Sequence, residues 1–393
     1  RTQFFNADTD SEIAFGIENE ALPRSQLLKR VERTTEELHI EKLRGQSIFA
    51  LSGGEKQKIA FASVYAMEPE IYVLDEPSSN LDMSAIKELK EHLHTIKQQG
   101  KTILVAEHRL YYLMELADKI VYLEHGEIGG IYTPRQLAQL PEKQRSDMGL
   151  RAVDLNKIHP VKTAAVRGSV ALELKDVALR YQKRIILEHI DLKAAKGEII
   201  AVAGHNGAGK TTLSRALCGL HKECAGQFLW EGHPTGDRER KKRSYLVMQD
   251  VGYELFAESV EKECVFGIAD PDMETAKRTL EELGLKPFGA RHPGTLSGGQ
   301  KQRLAVAVSM VCGKKILIFD EPTSGLDYDS MMQVAALMER LAAKKSIIFV
   351  VTHDYELVCR VCTRVLHFDE GGMRDDLAVS LQNEEKIRRL FGM

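Results

Sequence analysis

The chain has 393 residues, 43% of them apolar and 28% charged, with a formal net charge of −3. That length allows two or three domains with sizeable cores, and the near-balanced charge gives no global sign of a nucleic-acid binder. No apolar run reaches the ~18 residues a membrane helix needs, and no stretch reads as a signal peptide; the nearest run, Leu304 to Phe319, is broken by Gly313-Lys314-Lys315.

In chain order, the first recognisable pattern is Phe5, Glu12 and Phe15-Gly16. Next come Leu51-Ser-Gly-Gly-Glu55, Leu74-Asp-Glu-Pro77, Asn80-Leu-Asp82 and His108. Residues from about 130 to 168 form a polar, helix-like stretch followed by Pro160, Lys162 and Arg167, which reads as a linker. A second set of elements begins near Val170. Gly197-Glu198 leads into the apolar run Ile199 to Ala203, a Gly-rich loop and a helix through Leu217. The basic run Arg238 to Arg243 has no aromatic to stack a base and precedes the strand-like Tyr245 to Met248, so it reads as a solvated face. Further on, Lys315 to Asp320 and Ser346 to Thr352 read as buried strands, with helices from Ser330 to Ala343 and from Tyr355. Continuous apolar strands between helices imply a parallel sheet covered on both faces.

The chain contains an internal repeat. Leu51 and Leu296, Asp75 and Asp320, Asp82 and Asp327, and His108 and His353 are each 245 residues apart. The Phe5 pattern recurs at Phe256, Glu263 and Phe266-Gly267, 251 residues on, so one short insertion or deletion lies between. The first copy has no counterpart of the residues from Val170 to about 253, and its phosphate loop is expected upstream of Arg1. The expected division is a partial first domain over 1–130, a linker over 131–168 and a complete second domain over 169–393. All six cysteines lie in the second half. Cys359 and Cys362 have no second pair at zinc-finger spacing and read as buried thiols.

Gly204-His-Asn206-Gly207-Ala-Gly209-Lys210-Thr211, followed by Thr212, fits the phosphate-loop pattern and lies between a strand and a helix. Glycines let backbone N–H groups turn towards phosphate oxygens, and the helix start adds its positive dipole end. Lys210 should reach the β- and γ-phosphates and Thr211 should bind Mg²⁺. Asp320 ends an apolar strand and is followed by Glu321. Asp320 suits a Mg²⁺ ligand, and Glu321 suits the general base that polarises the attacking water.

Leu296-Ser297-Gly298-Gly299-Gln300 resembles the signature of the ABC ATPases, and with the loop above it extends that resemblance over essentially the whole chain. The resemblance implies an α/β P-loop fold in two copies, the first incomplete. Each complete copy would have a parallel-sheet core, an antiparallel β subdomain and a helical signature subdomain. It implies ATP and Mg²⁺ as ligands, with the two domains pairing head to tail. Ser297, Gly298 and Gly299, and in the first copy Ser52, Gly53 and Gly54, would then contact a γ-phosphate. It further implies that Tyr181 stacks on adenine, that Gln249 touches Mg²⁺ and the attacking water, and that His353 contacts the γ-phosphate. Asp327 would reach across the domain pair. By the repeat, Asp75, Glu76 and His108 stand where Asp320, Glu321 and His353 stand.

Among tandem members, translation-type factors carry Asn-His-Leu-Asp after the glutamate and a long charged linker. Here Ser-Asn-Leu-Asp and Ser-Gly-Leu-Asp occur with a short one. Tandem sugar-importer ATPases have a degraded second loop, whereas Gly204 to Thr211 is intact. Gln3-Phe-Phe, Glu12-Ile-Ala-Phe-Gly16, Ala106-Glu-His-Arg109 and Val351-Thr-His-Asp354 look like the energy-coupling-factor ATPases of vitamin and transition-metal uptake. That class implies a peripheral protein on the cytoplasmic face of the membrane. Its partners would be a transmembrane coupling protein and a substrate-binding membrane protein, with Phe256 to Phe266 as the coupling segment and no nucleic acid. The alternative is a soluble tandem ATPase acting on the ribosome.

Overall fold

The computed structural model describes residues 4–79, 81–161, 168–248, 251–268 and 270–393. The chain divides into two units, Arg1–Leu137 and Ala138–Met393.

In the first unit, α1 (Thr9–Glu18), α2 (Arg24–Glu37) and α3 (Gly53–Tyr65) pack around Ile13, Ile17, Val31, Ile59 and Ala62. They precede β1 (Ile71–Asp75), α4 (Met83–Gln98), β2 (Thr102–Ala106), β3 (Ile120–Glu124) and β4 (Glu127–Tyr132). Asp82 caps α4, which buries Ile86, Leu89, Leu93 and Ile96, the one-sided stripe of an amphipathic helix. β1 and β2 form a parallel pair and β3 and β4 an antiparallel one. β1 and β2 are apolar yet leave Ile71, Val73 and Leu104 exposed, with no third strand beside them among the described residues. The division between units falls within α5 (Pro134–Gln139).

The second unit opens with α6 (Glu142–Asp147) and a short 3-10 turn at Leu155–Lys157. Then follow β5 (Val170–Tyr181), β6 (Arg184–Ala195), β7 (Ile199–Ala203), α7 (Lys210–Leu217), β8 (Cys224–Trp230) and β9 (His233–Pro234). α8 (Asp237–Arg243) and β10 (Ser244–Val247) lead to α9 (Val260–Cys264), α10 (Met273–Glu282) and α11 (Gly298–Val311), the helical part. The chain ends with β11 (Ile316–Asp320), α12 (Tyr328–Ala343), β12 (Ile347–Val351), α13 (Tyr355–Val361), β13 (Arg364–Asp369), β14 (Gly372–Ala378) and α14 (Glu384–Leu390).

Strands run in the order β10-β11-β12-β7-β13-β14, parallel except for the β13–β14 hairpin. Every residue of β7 and β12 is buried, which explains their unbroken apolar sequences. A second, antiparallel sheet, β6-β5-β8-β9, shares one core with the first through Leu174, Leu192, Leu213, Phe228, Ile318 and Phe349. This is the expected α/β P-loop architecture.

Two details differ from the sequence reading. The stretch 131–168, expected as a linker, includes α5, α6 and residues that belong to the second unit. The Arg388 guanidinium donates to the Asn156 carbonyl at 2.6 Å, and Val161 N–H donates to the Cys359 carbonyl at 3.0 Å. The run 238–243 is not wholly solvated. Arg240 is buried, its guanidinium 3.8 Å from the centroid of Phe228, while its neighbours at 238, 239, 241 and 242 are exposed.

Candidate functional site

The phosphate-loop sequence leaves the end of β7 and turns back into α7. Gly204, Gly207 and Gly209 adopt φ of +148°, +88° and +92°. A Cβ on Gly204 would stand 2.2 Å from the Phe368 carbonyl oxygen, and one on Gly209 would stand 2.9 Å from Leu187. At Gly207 the space is open and only the torsion asks for glycine. Lys210 starts α7, is nearly buried, and donates to the carbonyl oxygens of Gly204 at 2.6 Å and His205 at 2.9 Å. Its ammonium therefore lies over the loop, where a phosphate chain would need it. Asn206 belongs to the loop and Thr212 to the first turn of α7.

Because β12 lies beside β7 and β11 beside β12, all three parallel, their ends arrive at the same edge. The Thr211 hydroxyl donates to Asp320 at 3.4 Å. Burial raises the Asp320 carboxyl above its usual range, and the Lys210 charge opposes that. Glu321 is buried and holds φ at +49°, a strained value for a non-glycine residue. Its N–H donates to the Val351 carbonyl at 2.8 Å. His353 Nε2 lies 3.8 Å from Glu321 Oε1, and the Thr352 hydroxyl donates to Glu321 Oε2 at 3.4 Å. Sequence reasoning passed over Thr352; its place between an apolar strand and His353 was the only signal. Gln249 lies outside the described residues.

The first unit repeats part of this arrangement. Glu76 has φ +44°, its N–H donates to Ala106 at 2.8 Å, and His108 Nε2 is 3.6 Å from its carboxylate. Burial raises the Glu76 carboxyl and His108 opposes the rise. Asp75 ends β1, as Asp320 ends β11.

Both signature sequences open helices. Ser297 caps α11 and Ser52 caps α3, each in a capping box with the residue three places on. Gly53 and Gly54, like Gly298 and Gly299, form the first helical residues. The copies differ in one respect. The Ser52 hydroxyl donates to Glu55 at 2.6 Å, which holds that carboxyl below its usual range. Tyr181 ends β5 and is 59% exposed, open to stacking.

Gly204 and Gly209 form a cradle that side chains would fill, and Lys210, Thr211 and Asp320 line it. These residues fit a nucleotide phosphate chain with a magnesium ion held partly by the phosphates themselves. Among the described residues no group of three His, Cys, Asp or Glu forms a metal site of its own. Cys359 and Cys362 are both buried, and burial pushes the Cys359 thiol up to about 11.

The profile of the ABC transporter family matches residues 3–79 and 187–324. An ABC transporter ATP-binding protein of Treponema denticola is 50% identical over 99% of this chain and 81% of its own length. The HMP/thiamine import ATP-binding protein YkoD of Bacillus subtilis is 30% identical over 95% of this chain and 74% of its own. Among solved structures, cbiO1 of Clostridium perfringens, part of the transporter complex cbiONQ, superposes with a TM-score of 0.50 at 26% identity. It covers 56% of this chain and 92% of that one. Archaeal ABCE1, from a ribosome-bound model with Pelota, superposes with a TM-score of 0.74 at 23% identity, covering 97% of this chain and 63% of that one; this likeness is one of fold. The chain is a member of the ABC transporter family of ATP-binding proteins, with the family's sequence present twice.

Proposed function

We propose that the second unit binds MgATP at residues 204–211 and hydrolyses it, and that the work drives an importer of the energy-coupling-factor kind for a vitamin or a transition-metal ion. The observation that carries the hydrolytic part is the convergence of Lys210, Thr211, Asp320, Glu321 and His353 at one edge of the sheet. Lys210 has only to move its donors from loop carbonyls to phosphate oxygens. Thr211 and Asp320 would hold Mg²⁺, which when bound neutralises phosphate charge. Glu321 orients the attacking water and accepts its proton as the new P–O bond forms and the β–γ bridge breaks, releasing ADP and phosphate. His353, beside Glu321, donates to the γ-phosphate.

The importer reading rests on the relatives above and on the exposed side chains of Phe256 and Phe266, apolar contacts suited to a membrane partner. No helix among the described residues is long and apolar enough to cross a membrane, so on this reading the span belongs to partners. Cosedimentation of the Glu321→Gln chain with membrane vesicles and with purified ribosomes, with and without ATP, separates the two classes. Retention by membranes alone is expected. ATP-dependent retention by ribosomes alone would replace the importer reading with the ribosomal one.

A further inference from the structure

The two copies hold the backbone beside their histidine by different means. In the first unit acid and base come from one short segment. The Glu107 carboxylate accepts from the N–H groups of Ser78, His108 and Arg109 and from the Tyr112 hydroxyl, at 2.8 to 3.2 Å. Arg109 is buried, with Nη1 3.5 Å from the Ser78 carbonyl. In the second unit Thr352 and Asp354 occupy the positions of Glu107 and Arg109, so a threonine replaces the acid and an acid stands where the arginine was.

The base arrives from the segment between the repeats. Arg151 is 4% exposed, and its Nη2 lies 2.7 Å from both carboxylate oxygens of Asp354. Nε donates to Glu356 at 2.8 Å and Nη1 to the Leu326 carbonyl at 3.3 Å. Asp354 also accepts the Thr323 hydroxyl at 2.7 Å and the Leu357 N–H at 3.2 Å, capping α13. Two residues before the arginine, the Gly149 carbonyl accepts the Tyr328 N–H at 2.9 Å. Residues 149–151 thus grip Asp327 on both flanks, at Leu326 and Tyr328, and grip the residue that follows His353. A guanidinium suits this task because its planar fork serves several acceptors at fixed angles, as an ammonium does not.

We propose that Arg151 is a positioning residue for the second unit's nucleotide site: it fixes the Asp354 and Leu326–Tyr328 backbone, and so sets where His353 and Asp327 stand relative to Glu321. This rests on the ATPase reading of that site.

The test uses the full chain and compares Arg151→Lys with Arg151→Met/Asp354→Asn/Glu356→Gln, which removes all three buried charges. Turnover, MgATP affinity and thermal unfolding are measured for each. Arg151→Lys should lower kcat about tenfold or more while MgATP affinity stays within about threefold, as misplacement of a catalytic group does. The triple variant should regain thermal stability, since neutral replacements of a buried ion cluster are tolerated, yet stay slow. Wild-type kcat in Arg151→Lys overturns the proposal, and so does a triple variant whose turnover returns with its stability. Glu321→Gln runs in parallel: if it hydrolyses ATP normally, the ATPase reading of the site fails, and not the placement of Arg151 alone.

Discussion

His353 Nε2 stands 3.8 Å from Glu321 Oε1, and the same pair recurs in the first unit as His108 and Glu76 at 3.6 Å. In both, the glutamate follows the last strand residue in a left-handed conformation and bonds its N–H to the end of the next strand. The backbone thus presents the carboxylate to the histidine before any ligand contributes. Glu321→Gln preserves shape and the Thr352 contact but not the base. Hydrolysis should fall by about 10²-fold or more with MgATP still bound. Single-turnover assays decide this; if His353→Ala abolishes hydrolysis while Glu321→Gln does not, the base has been assigned to the wrong residue.

Lys210 and Tyr181 should separate by their effects on binding. Lys210→Ala removes the buried cation over the loop and should eliminate detectable MgATP binding or turnover. Tyr181→Ala, at an exposed strand end, should leave folding untouched and weaken nucleotide binding by about 1–3 kcal/mol, the range of base–aromatic stacking. Fluorescent-nucleotide titration measures both, and unchanged affinity in Tyr181→Ala would remove the ring from the adenine site.

Glu254 gives a pH prediction. Its Oε1 accepts the Met248 N–H at 2.9 Å, and burial pushes the carboxyl up to about 7. A carboxyl raised in the folded state keeps its proton longer than in the unfolded chain. Stability should therefore fall as pH rises from about 4.5 to 7, and level off above. Glu254→Gln should flatten this slope and raise stability at pH 8 by up to about 3 kcal/mol. Denaturant unfolding of both forms at pH 5 and pH 8 is the check; equal pH slopes would mean the buried acid is not the source.

Arg240 should behave as a core residue within a basic run. Arg240→Ala removes the cation over Phe228 and the ion pair with Asp237, and should cost about 1–3 kcal/mol. Changing Arg238, Lys241 and Lys242 to Ala should each shift stability by less than about 0.5 kcal/mol. Thermal melts of the four variants would show whether the cost is confined to Arg240.

The strands carrying the site were legible because burial on both faces imposes unbroken apolar runs. Ile199 to Ala203 and the run ending at Asp320 were placed within a residue of their observed bounds. The loop and signature residues announced themselves by spacing. Arg151 was hidden for a different reason. Its partners Asp354 and Glu356 lie more than 200 residues away, and a polar segment between repeats reads as solvated. The φ of Glu321 was equally unreadable, because it comes from the pairing of adjacent strands and not from side-chain preference. Arg240 was misjudged because five charged neighbours mask one residue of α8 whose ring partner, Phe228, comes from β8.

Gly204 and Gly207 differ in how they can change. At Gly207 the obstacle is a torsion, which asparagine tolerates, so drift at that position can proceed alone. At Gly204 the obstacle is an occupied volume, that of the Phe368 carbonyl oxygen. Any side chain there must be accompanied by retreat of the β13–β14 hairpin. The loop's first glycine and the hairpin that abuts it therefore form one heritable unit, in which a viable change on either side constrains what the other can become.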